Sequence, residues 1–291
     1  MKINCVIVTY NRLSLLKECI SALKNQTYKI NKIYIINNNS TDGTSDYLQE
    51  LIADSQFVII NLPQNIGGAG GFSEGIKRVV LDGCDWAWIM DDDTIPMNNA
   101  LEELVKGTTV AKNVGYVCSR VVWTDGMIHK MNIPRFDCEN KQHLPINYYS
   151  NLADVLLIRA ASFVSLLINS KAVREVGLPI KEFFIWGDDT EFTTRIYQHG
   201  YVCLYASQST VIHKTTENYI SQLQNAPVEA LWKFQYGFRN DIFLRRMRKK
   251  NFLFFISVIN AYRRAVRHIN KRPGNCLLYT SPSPRDRTRS R

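Results

Sequence analysis

The sequence predicts an α/β fold with a mostly parallel, doubly wound central sheet. Two observations lead there. Short apolar runs of strand length alternate with segments of helical period four times in roughly the first ninety residues, the pattern of successive strand–helix–strand units. The runs are almost continuously apolar, as expected of parallel strands covered on both faces.

Ile3–Thr9 (INCVIVT) is the first such run. In Asn11–Leu23, the residues Leu15, Leu16, Cys19, Ile20 and Leu23 fall at helical spacing. Lys32–Ile36 is the second strand, and Ser40–Thr44 (STDGT) supplies N-cap chemistry for a helix running to about Ile52. Phe57–Asn61 is the third strand, and Asn65–Phe72 a Gly-rich turn before a helix near Gly71–Asp82. Asp85–Met90 (DWAWIM) is the fourth strand and runs straight into Asp91-Asp92-Asp93. Asn99–Lys106 is a further helix. Beyond it the pattern loosens: a strand at Val114–Val122, a polar, turn-rich Trp123–Ser150, a strand at Ala161–Ile168, and a short helix Ser170–Val176 closed by Gly177. A helix then runs from Asp188 to about His199, closed by Gly200, with short strands at Tyr201–Ala206 and Thr210–His213. From Pro227 the chain reads as helical, aromatic and basic, and no internal repeat is visible.

Of 291 residues, 45% are apolar and 21% charged, the composition of a globular protein with a substantial core. The net charge of +10 is uneven. Arg239–Arg272 holds eleven Lys/Arg against one Asp, and Cys276–Arg291 four Arg against one Asp, which leaves Met1–Phe238 mildly acidic. A basic block of this size points to an anionic partner. The seven cysteines (Cys5, Cys19, Cys84, Cys118, Cys138, Cys203 and Cys276) form no CxxC pair and sit mostly in apolar stretches, the pattern of reduced core thiols. The chain enters its first strand after a single Lys, with no leader pattern, and no run reaches the roughly eighteen apolar residues of a membrane span. The expectation is a cytoplasmic protein. Cys276–Asp286 (CLLYTSPSPRD) resembles translated adapter sequence from transposon-based libraries. Native sequence is therefore expected to end near Gly274, with 275–291 a foreign tail.

Several clusters carry chemistry. Asp91-Asp92-Asp93 closes an apolar strand, and in open α/β sheets ligands bind beyond the carboxyl ends of the strands. Carboxylates placed there are hard oxygen ligands suited to Mg2+ or Mn2+; the plain alternative is a solvated acidic turn. Gly67, Gly68, Gly70 and Gly71 let backbone approach an anion and present N–H groups to it, though alone they fit a tight strand-to-helix turn equally well. Asp188-Asp189-Thr190-Glu191 opens a helix, where the dipole favours acidic residues whatever the function. His213 ends a strand, where a lone histidine is most often structural. Trp186 is either a core aromatic or a flat face for a sugar ring.

Taken in order, VIVTYNR (6–12), NNNSTDGT (37–44), NIGGAGGF (65–72), WIMDDDT (88–94), FIWGDDTEF (184–192) and His213 resemble the family 2 glycosyltransferases. GGAGGF and WGDDTEF are most similar to bacterial galactofuranosyltransferases and related rhamnosyltransferases. The resemblance implies the GT-A fold over residues 1–226, with a nucleotide-binding half at 1–100, an acceptor half at 101–226 and a basic helical extension at 227–274. It implies inverting transfer of a sugar from a nucleotide diphosphate donor to a saccharide or lipid-linked saccharide, such as a growing O-antigen or capsule chain. UDP-galactofuranose is the first donor expected and dTDP-rhamnose the alternative. On this resemblance Thr9, Tyr10, Asn11 and Arg12 meet the base and phosphates, and Asn38 reads the base. Asn65, Gly67, Gly68, Gly70 and Gly71 line the donor, with Asp91 and Asp92 beside it. Asp91, Asp93 and His213 hold Mn2+ or Mg2+, Asp189 is the general base, and Trp186, Asp188 and Glu191 serve the acceptor. The sequence departs from the family pattern at Asn37 and Asn38, where Asp is usual; an amide carbonyl still accepts from the base N3–H.

Other classes fit less well. A nucleotide-binding oxidoreductase places its Gly-rich turn directly after the first strand; here Thr9–Arg12 follow that strand and the glycines follow the third. A nucleotidyltransferase expects a Gly-rich basic turn at the N-terminus, which is absent. A non-catalytic sugar-nucleotide-binding relative has no need to retain Asp93, Asp189 and His213 together. Trp232–Arg272 interleaves aromatic, aliphatic and basic residues, and its apolar stretch Asn251–Tyr262 is too short to span. That composition suits a helix lying on an anionic membrane surface, here the inner face of the cell membrane. A helix packed on the catalytic domain is the plain alternative, and nucleic acid is not expected as a partner.

Overall fold

Strand β1 (Ile3–Thr9) is buried at every residue, and its two faces explain the layering. Ile3, Cys5 and Ile7 enter one apolar cluster with Ile33 and Ile35 of β2 (Lys32–Asn37) and Trp86, Trp88 and Met90 of β4 (Trp86–Asp91). Val6 and Val8 enter a second cluster with Tyr34, Ile36, Ala87 and Ile89. Strands covered on both faces need no polar positions, which is why they read as unbroken apolar runs.

Helices supply both covers. Leu16, Cys19, Ile20 and Leu23 of α1 (Leu13–Lys24), Leu48 of α2 (Thr44–Leu51) and Leu101 and Leu104 of α4 (Ala100–Thr108) fill the first cluster. Phe72, Ile76 and Val79 of α3 (Gly67–Leu81), Val173 of α5 (Ser170–Val176) and Phe192 and Ile196 of α6 (Asp188–Gln198) fill the second.

The remaining strands are β3 (Phe57–Asn61), β5 (Thr94–Pro96), β6 (Val114–Val122), β7 (Arg135–Phe136), β8 (Val155–Ala160), β9 (Leu166–Asn169) and β10 (Val202–His213). Their order is β3-β2-β1-β4-β9-β6-β10-β8-β7, with β5 paired to β10. β3, β2, β1 and β4 are parallel, and β9 runs antiparallel between β4 and β6. The chain steps from β1 outward through β2 and β3, then returns to place β4 on the other side of β1. That reversal is a topological switch point, where an open α/β sheet forms its ligand crevice. Register lines up the loops there: Thr9 pairs with Asn37, and Val8 with Asp91.

This computed structural model describes residues 1–137, 154–219, 226, 230–248 and 251–270. The chain divides into two compact units, Met1–Phe184 with Asp188–Asn218, and Ile185–Gly187 with Tyr219–Arg291. The first holds the sheet. In the second, α7 (Leu231–Arg248) and α8 (Asn251–Asn270) are the described helices. Part of the polar segment expected at Trp123–Ser150 and the tail expected from 275 lie outside the described residues.

Three expectations are revised. Ala161–Ile168 is not one strand: β8 ends at Ala160 and β9 begins at Leu166. The intervening apolar residues are core without being sheet, because Phe163 packs edge-on against Phe72 at 5.0 Å and Phe192 at 5.9 Å. The two strands expected at Tyr201–Ala206 and Thr210–His213 are one strand, β10, which begins at Val202 and whose pairing with β6 shifts register between Ala206 and Thr210. The helix after the third strand starts at Gly67 and absorbs the Gly-rich run. Close packing explains that composition. A Cβ on Gly71 would sit 2.5 Å from Val8 Cγ1, and one on Gly75 2.4 Å from Val6 Cγ1, so α3 rests almost directly on β1.

Gly75→Ala should therefore cost about 1–3 kcal/mol through overpacking, read as a melting-temperature drop of several degrees by circular dichroism. An unchanged melting temperature would show that α3 can lift from the sheet at no cost.

Candidate active site

The loops at the carboxyl ends of β1 and β2 are tied together by side chains. Asn11, in the left-handed region at φ 54°, accepts from the Thr41 N–H at 2.7 Å. Its own N–H donates to Ser40 Oγ at 3.0 Å. Asp42 accepts from the Leu13 N–H at 3.0 Å and so caps α1 from the neighbouring loop. Thr9 is buried, and its carbonyl accepts from the Asn38 N–H at 2.9 Å. The Tyr10 ring is 44% exposed and faces outward.

Asn37 and Asn38 are buried and structurally engaged. Asn37 Nδ2 donates to Asn61 Oδ1 at 2.8 Å and Ser45 Oγ at 3.0 Å. Asn38 Oδ1 accepts from the Ile66 N–H at 3.0 Å, and its Nδ2 donates to the Gly67 carbonyl at 2.9 Å. The Asn38 amide thus holds the entry to α3. Asn65 assists, accepting from the Gly67 N–H at 2.8 Å.

The start of α3 is tied to a distant loop. The Phe184 carbonyl accepts from the Ala69 N–H at 3.1 Å. Gly67 has φ +77°, and a Cβ there would lie 2.1 Å from that carbonyl oxygen, so no side chain fits. Gly70 packs on Ile66, while a Cβ on Gly68 would meet nothing within 4 Å. Among these glycines, Gly68 is the one that opens onto free space.

The three aspartates diverge. Asp92 turns toward the β1 loop, accepting from the Tyr10 N–H at 3.3 Å and facing Arg12 Nη1 at 3.4 Å. Burial pushes its carboxyl up to about 7 despite that cation. Asp93 is also buried, in contact with Arg12 Nη1, and with His213 Nε2 at 3.1 Å from its Oδ1. Burial works to raise Asp93, but His213 and Arg12 outweigh it and hold the carboxyl below the ordinary carboxylate range. Asp91 ends β4; burial, then the charge of Asp93, raise it to about 6.

His213 is delivered by backbone pairing. It is the last residue of β10 and pairs with Thr94 of β5, and the Lys214 N–H donates to the Asp93 carbonyl at 2.9 Å. Its Nδ1 lies 2.8 Å from Asn132 Oδ1, and Asn132 Nδ2 donates to Ser162 Oγ at 2.9 Å. With Oδ1 facing the ring, Asn132 accepts from an Nδ1–H of the imidazole. Nε2 faces Asp93 Oδ1: protonated it is a cationic donor to that carboxylate, and neutral it turns a lone pair toward it. In the neutral form Nε2 and the buried Asp93 Oδ1 are two facing acceptors, which fit a cation between them. One ligand atom each from Asp91, Asp93 and His213 lies within 4.8 Å of the others, a donor set of two carboxylate oxygens and an imidazole suited to Mn2+ or Mg2+. His129 buttresses the group, its ring 4.5 Å from that of His213 and its Nε2 2.9 Å from Thr215 Oγ1.

The acidic helix α6 belongs to the same electrostatic environment. The charge of Asp189 raises Asp91, and that of Asp91 raises Asp188. Asp189 Oδ1 accepts from the Thr190 N–H at 2.5 Å. Burial raises the Asp189 carboxyl, opposed by that bond and by the charge of Arg135. Asp188 is buried and pushed well up, first by burial and then by Asp189. Glu191 is buried with both oxygens at 2.8 Å from Arg195, whose guanidinium also donates to the carbonyls of Val176 and, at 3.0 Å, Leu178. Trp186 falls in the second unit, edge-on to Phe234 at 4.8 Å, with its carbonyl accepting from Asn240 Nδ2 at 2.7 Å.

Arg135, Asn132, Ser162 and His129 were not marked by the sequence. Asn132, Ser162 and His129 sit in irregular segments and Arg135 in the two-residue strand β7, all without period or motif, and only the fold brings them to the cluster.

Solved structures of GT-A glycosyltransferases share this fold. The crystal structure of GalNAc-T7 with UDP, GalNAc and Mn2+ matches with a TM-score of 0.62 at 16% identity, over 78% of this chain and 45% of that one. The mannosyltransferase PcManGT from Pyrobaculum calidifontis, in complex with GDP-Man and Mn2+, matches with a TM-score of 0.57 at 14% identity, over 99% of this chain and 78% of that one. The sequence profile of Glycosyl transferase family 2 matches residues 5–177, and the chain belongs to that family. It is 25% identical over 213 residues to galactofuranosyltransferase GlfT1 of Mycolicibacterium smegmatis, covering 69% of this chain and 68% of that relative.

Arg195→Met should leave Glu191 charged and unpaired in a buried site and strip two carbonyls of their donor. The expected cost is about 3–5 kcal/mol, read as a large fall in the urea midpoint. A midpoint within error of the parent would show that Glu191 does not depend on Arg195.

Proposed function

We propose that this chain is an inverting, metal-dependent hexosyltransferase that moves galactofuranose from UDP-galactofuranose to a saccharide hydroxyl in cell-surface polysaccharide synthesis. One observation carries the reading. Three metal-ligand atoms meet within 4.8 Å at the sheet's switch point, and Asp189, from a separate motif, is near enough for its charge to raise Asp91. The galactofuranosyltransferase relative supports the choice of donor. Mn2+ is named together with a nucleotide or nucleotide sugar in both solved neighbours, which supports Mn2+ as the cation.

Asp91, Asp93 and His213 would hold the cation. When bound, such a cation supplies neutralising charge for the departing diphosphate. The exposed Tyr10 ring offers a flat surface for the uracil. Asn38, with its amide committed to Ile66 and Gly67, serves the donor by shaping the turn. Gly68, with open space beside it, lets the donor approach the α3 backbone. Asp92 braces Tyr10 and Arg12 around that pocket. Asp189 takes the proton from the acceptor hydroxyl as that oxygen attacks the anomeric carbon opposite the leaving group, which inverts configuration. Asp188, favoured in its neutral form, donates a hydrogen bond to the acceptor. Glu191, held by Arg195, shapes the loop.

Purified protein stripped with EDTA and supplied with a panel of nucleotide sugars should release UDP from UDP-galactofuranose only when Mn2+ or Mg2+ is restored. Release from dTDP-rhamnose alone would move the assignment to a rhamnosyltransferase, and chelator-insensitive turnover would remove the metal. Asn132→Ala frees the His213 ring and should weaken Mn2+ binding about 10–100-fold by calorimetry.

Asp189 acts ionised, and its carboxyl lies above the ordinary value of about 4. kcat/KM should therefore rise as pH climbs through that elevated value and level off above it. Asp189→Asn should abolish turnover yet keep donor binding; normal turnover would exclude Asp189 as base.

A further inference from the structure

The second unit carries a surface that the donor site does not use. Along α8, Phe252, Phe255, Ile256, Ile259 and Tyr262 recur at i, i+3, i+4, i+7 and i+10, one helical stripe. All five face solvent: Phe252 is 76% exposed, Phe255 62%, Ile259 50% and Tyr262 70%. The opposite side of α8 packs inward. Ser257 is buried, and Val258 and Ala261, with Tyr262 at the border of the stripe, line an apolar groove of about 240 Å³ with Phe238, Asp241 and Ile242 of α7. Helix α7 adds exposed Phe243 and Met247. A soluble surface seldom carries this many large apolar side chains in one stripe without a partner.

Charge decides which partner. The stretch Arg239–Arg272, which contains the stripe, has eleven Lys/Arg and one Asp. Arg263 and Arg267 follow the stripe along α8 and are exposed. A second copy of this chain would bring two such basic blocks together, which opposes self-association. An anionic surface complements them. Among the described residues no helix is long and apolar enough to cross a membrane, so the pair suits lying in the interface with aromatic side chains at headgroup depth.

We propose that the outward face of the α7–α8 pair docks on the surface of an anionic lipid bilayer, with the Phe252–Tyr262 stripe inserted at the headgroup boundary and the neighbouring arginines on the lipid phosphates. This surface stands independently of the donor assignment. On an anionic bilayer the arginines supply attraction that falls with salt, and the aromatic stripe supplies the part that persists.

The test is co-sedimentation of the full chain with vesicles of phosphatidylcholine alone and of phosphatidylcholine with phosphatidylglycerol, at physiological salt. The protein should pellet with the anionic vesicles and bind the zwitterionic ones at least about tenfold more weakly. Phe252→Ser with Phe255→Ser and Ile259→Ser, all at exposed positions, should lower anionic-vesicle binding about tenfold or more. Circular dichroism and donor hydrolysis should be unchanged. A Phe255→Trp reporter should shift its emission to the blue on adding anionic vesicles. Absence of pelleting with anionic vesicles, binding unaltered by the triple substitution, or a dimer in solution that the triple substitution dissociates would each overturn the proposal. Loss of donor hydrolysis in every preparation would instead strike the enzymatic reading and leave this one standing.

Discussion

Three adjacent carboxylates at the end of one buried strand set the terms for the structure around them. Two like charges about 4 Å apart at an effective dielectric near 20 repel by about 4 kcal/mol, and burial adds a desolvation penalty to each. The chain answers by sending the side chains to different partners. Asp92 swings to the β1 loop and Arg12, Asp93 is held between Arg12 and His213, and Asp91 stays at the strand end with a raised carboxyl. The residual negative potential that a cation would relieve lies at Asp91 and Asp93. Arg12 couples this acidic site to the loop where a nucleotide is expected, so the two halves of the site are electrostatically one.

Backbone geometry keeps that arrangement in place. β5 turns the chain back immediately after the aspartates and pairs with the end of β10, so two hydrogen-bonded segments fix Asp93 and His213 side by side. Asn132 then anchors the His213 ring at Nδ1 and is itself held by Ser162. On the other side of the crevice, α3 sits so close to β1 that glycine is required at the contacts, and its first turn is pinned to the Phe184 carbonyl. The Phe184 carbonyl and the start of α3 are therefore in direct contact, with no room between them for a side chain on Gly67. A substitution at Gly67 would displace both the start of α3 and the Phe184 segment.

The raised carboxyls have a common source. Asp91, Asp92, Asp188 and Asp189 are all lifted first by burial; neighbouring carboxylates add to that at Asp91, Asp92 and Asp188, while Thr190 and Arg135 oppose it at Asp189. A water-poor crevice strengthens each charge–charge interaction inside it, which favours a carboxylate that takes up a proton during reaction. The same burial makes each unpaired charge expensive, so Arg12, Arg135 and Arg195 matter as much to the site as the acids they face.

Strand positions were legible along the first ninety residues because each strand is covered on both faces and writes an unbroken apolar run. The aspartate triplet, Asp188-Asp189 and His213 were legible as chemistry because each sits at the end of an element. Segments whose apolarity serves the core instead of a sheet misled: Phe163 and Val164 read as strand and are a buried turn. The glycines read as a loop and are a helix, because close approach to a sheet selects the same residue as a sharp turn does. Sequence by itself determined the parallel sheet, the loops at its carboxyl edge and the acidic groups there, since these depend on local periodicity and residue type. Tertiary structure alone decided that Asp92 braces a loop while Asp91 and Asp93 face His213, that Glu191 is taken by Arg195, and that Arg135 and Asn132 join the site. Those outcomes depend on which distant segments pair, and pairing is set by the burial and register of the whole sheet.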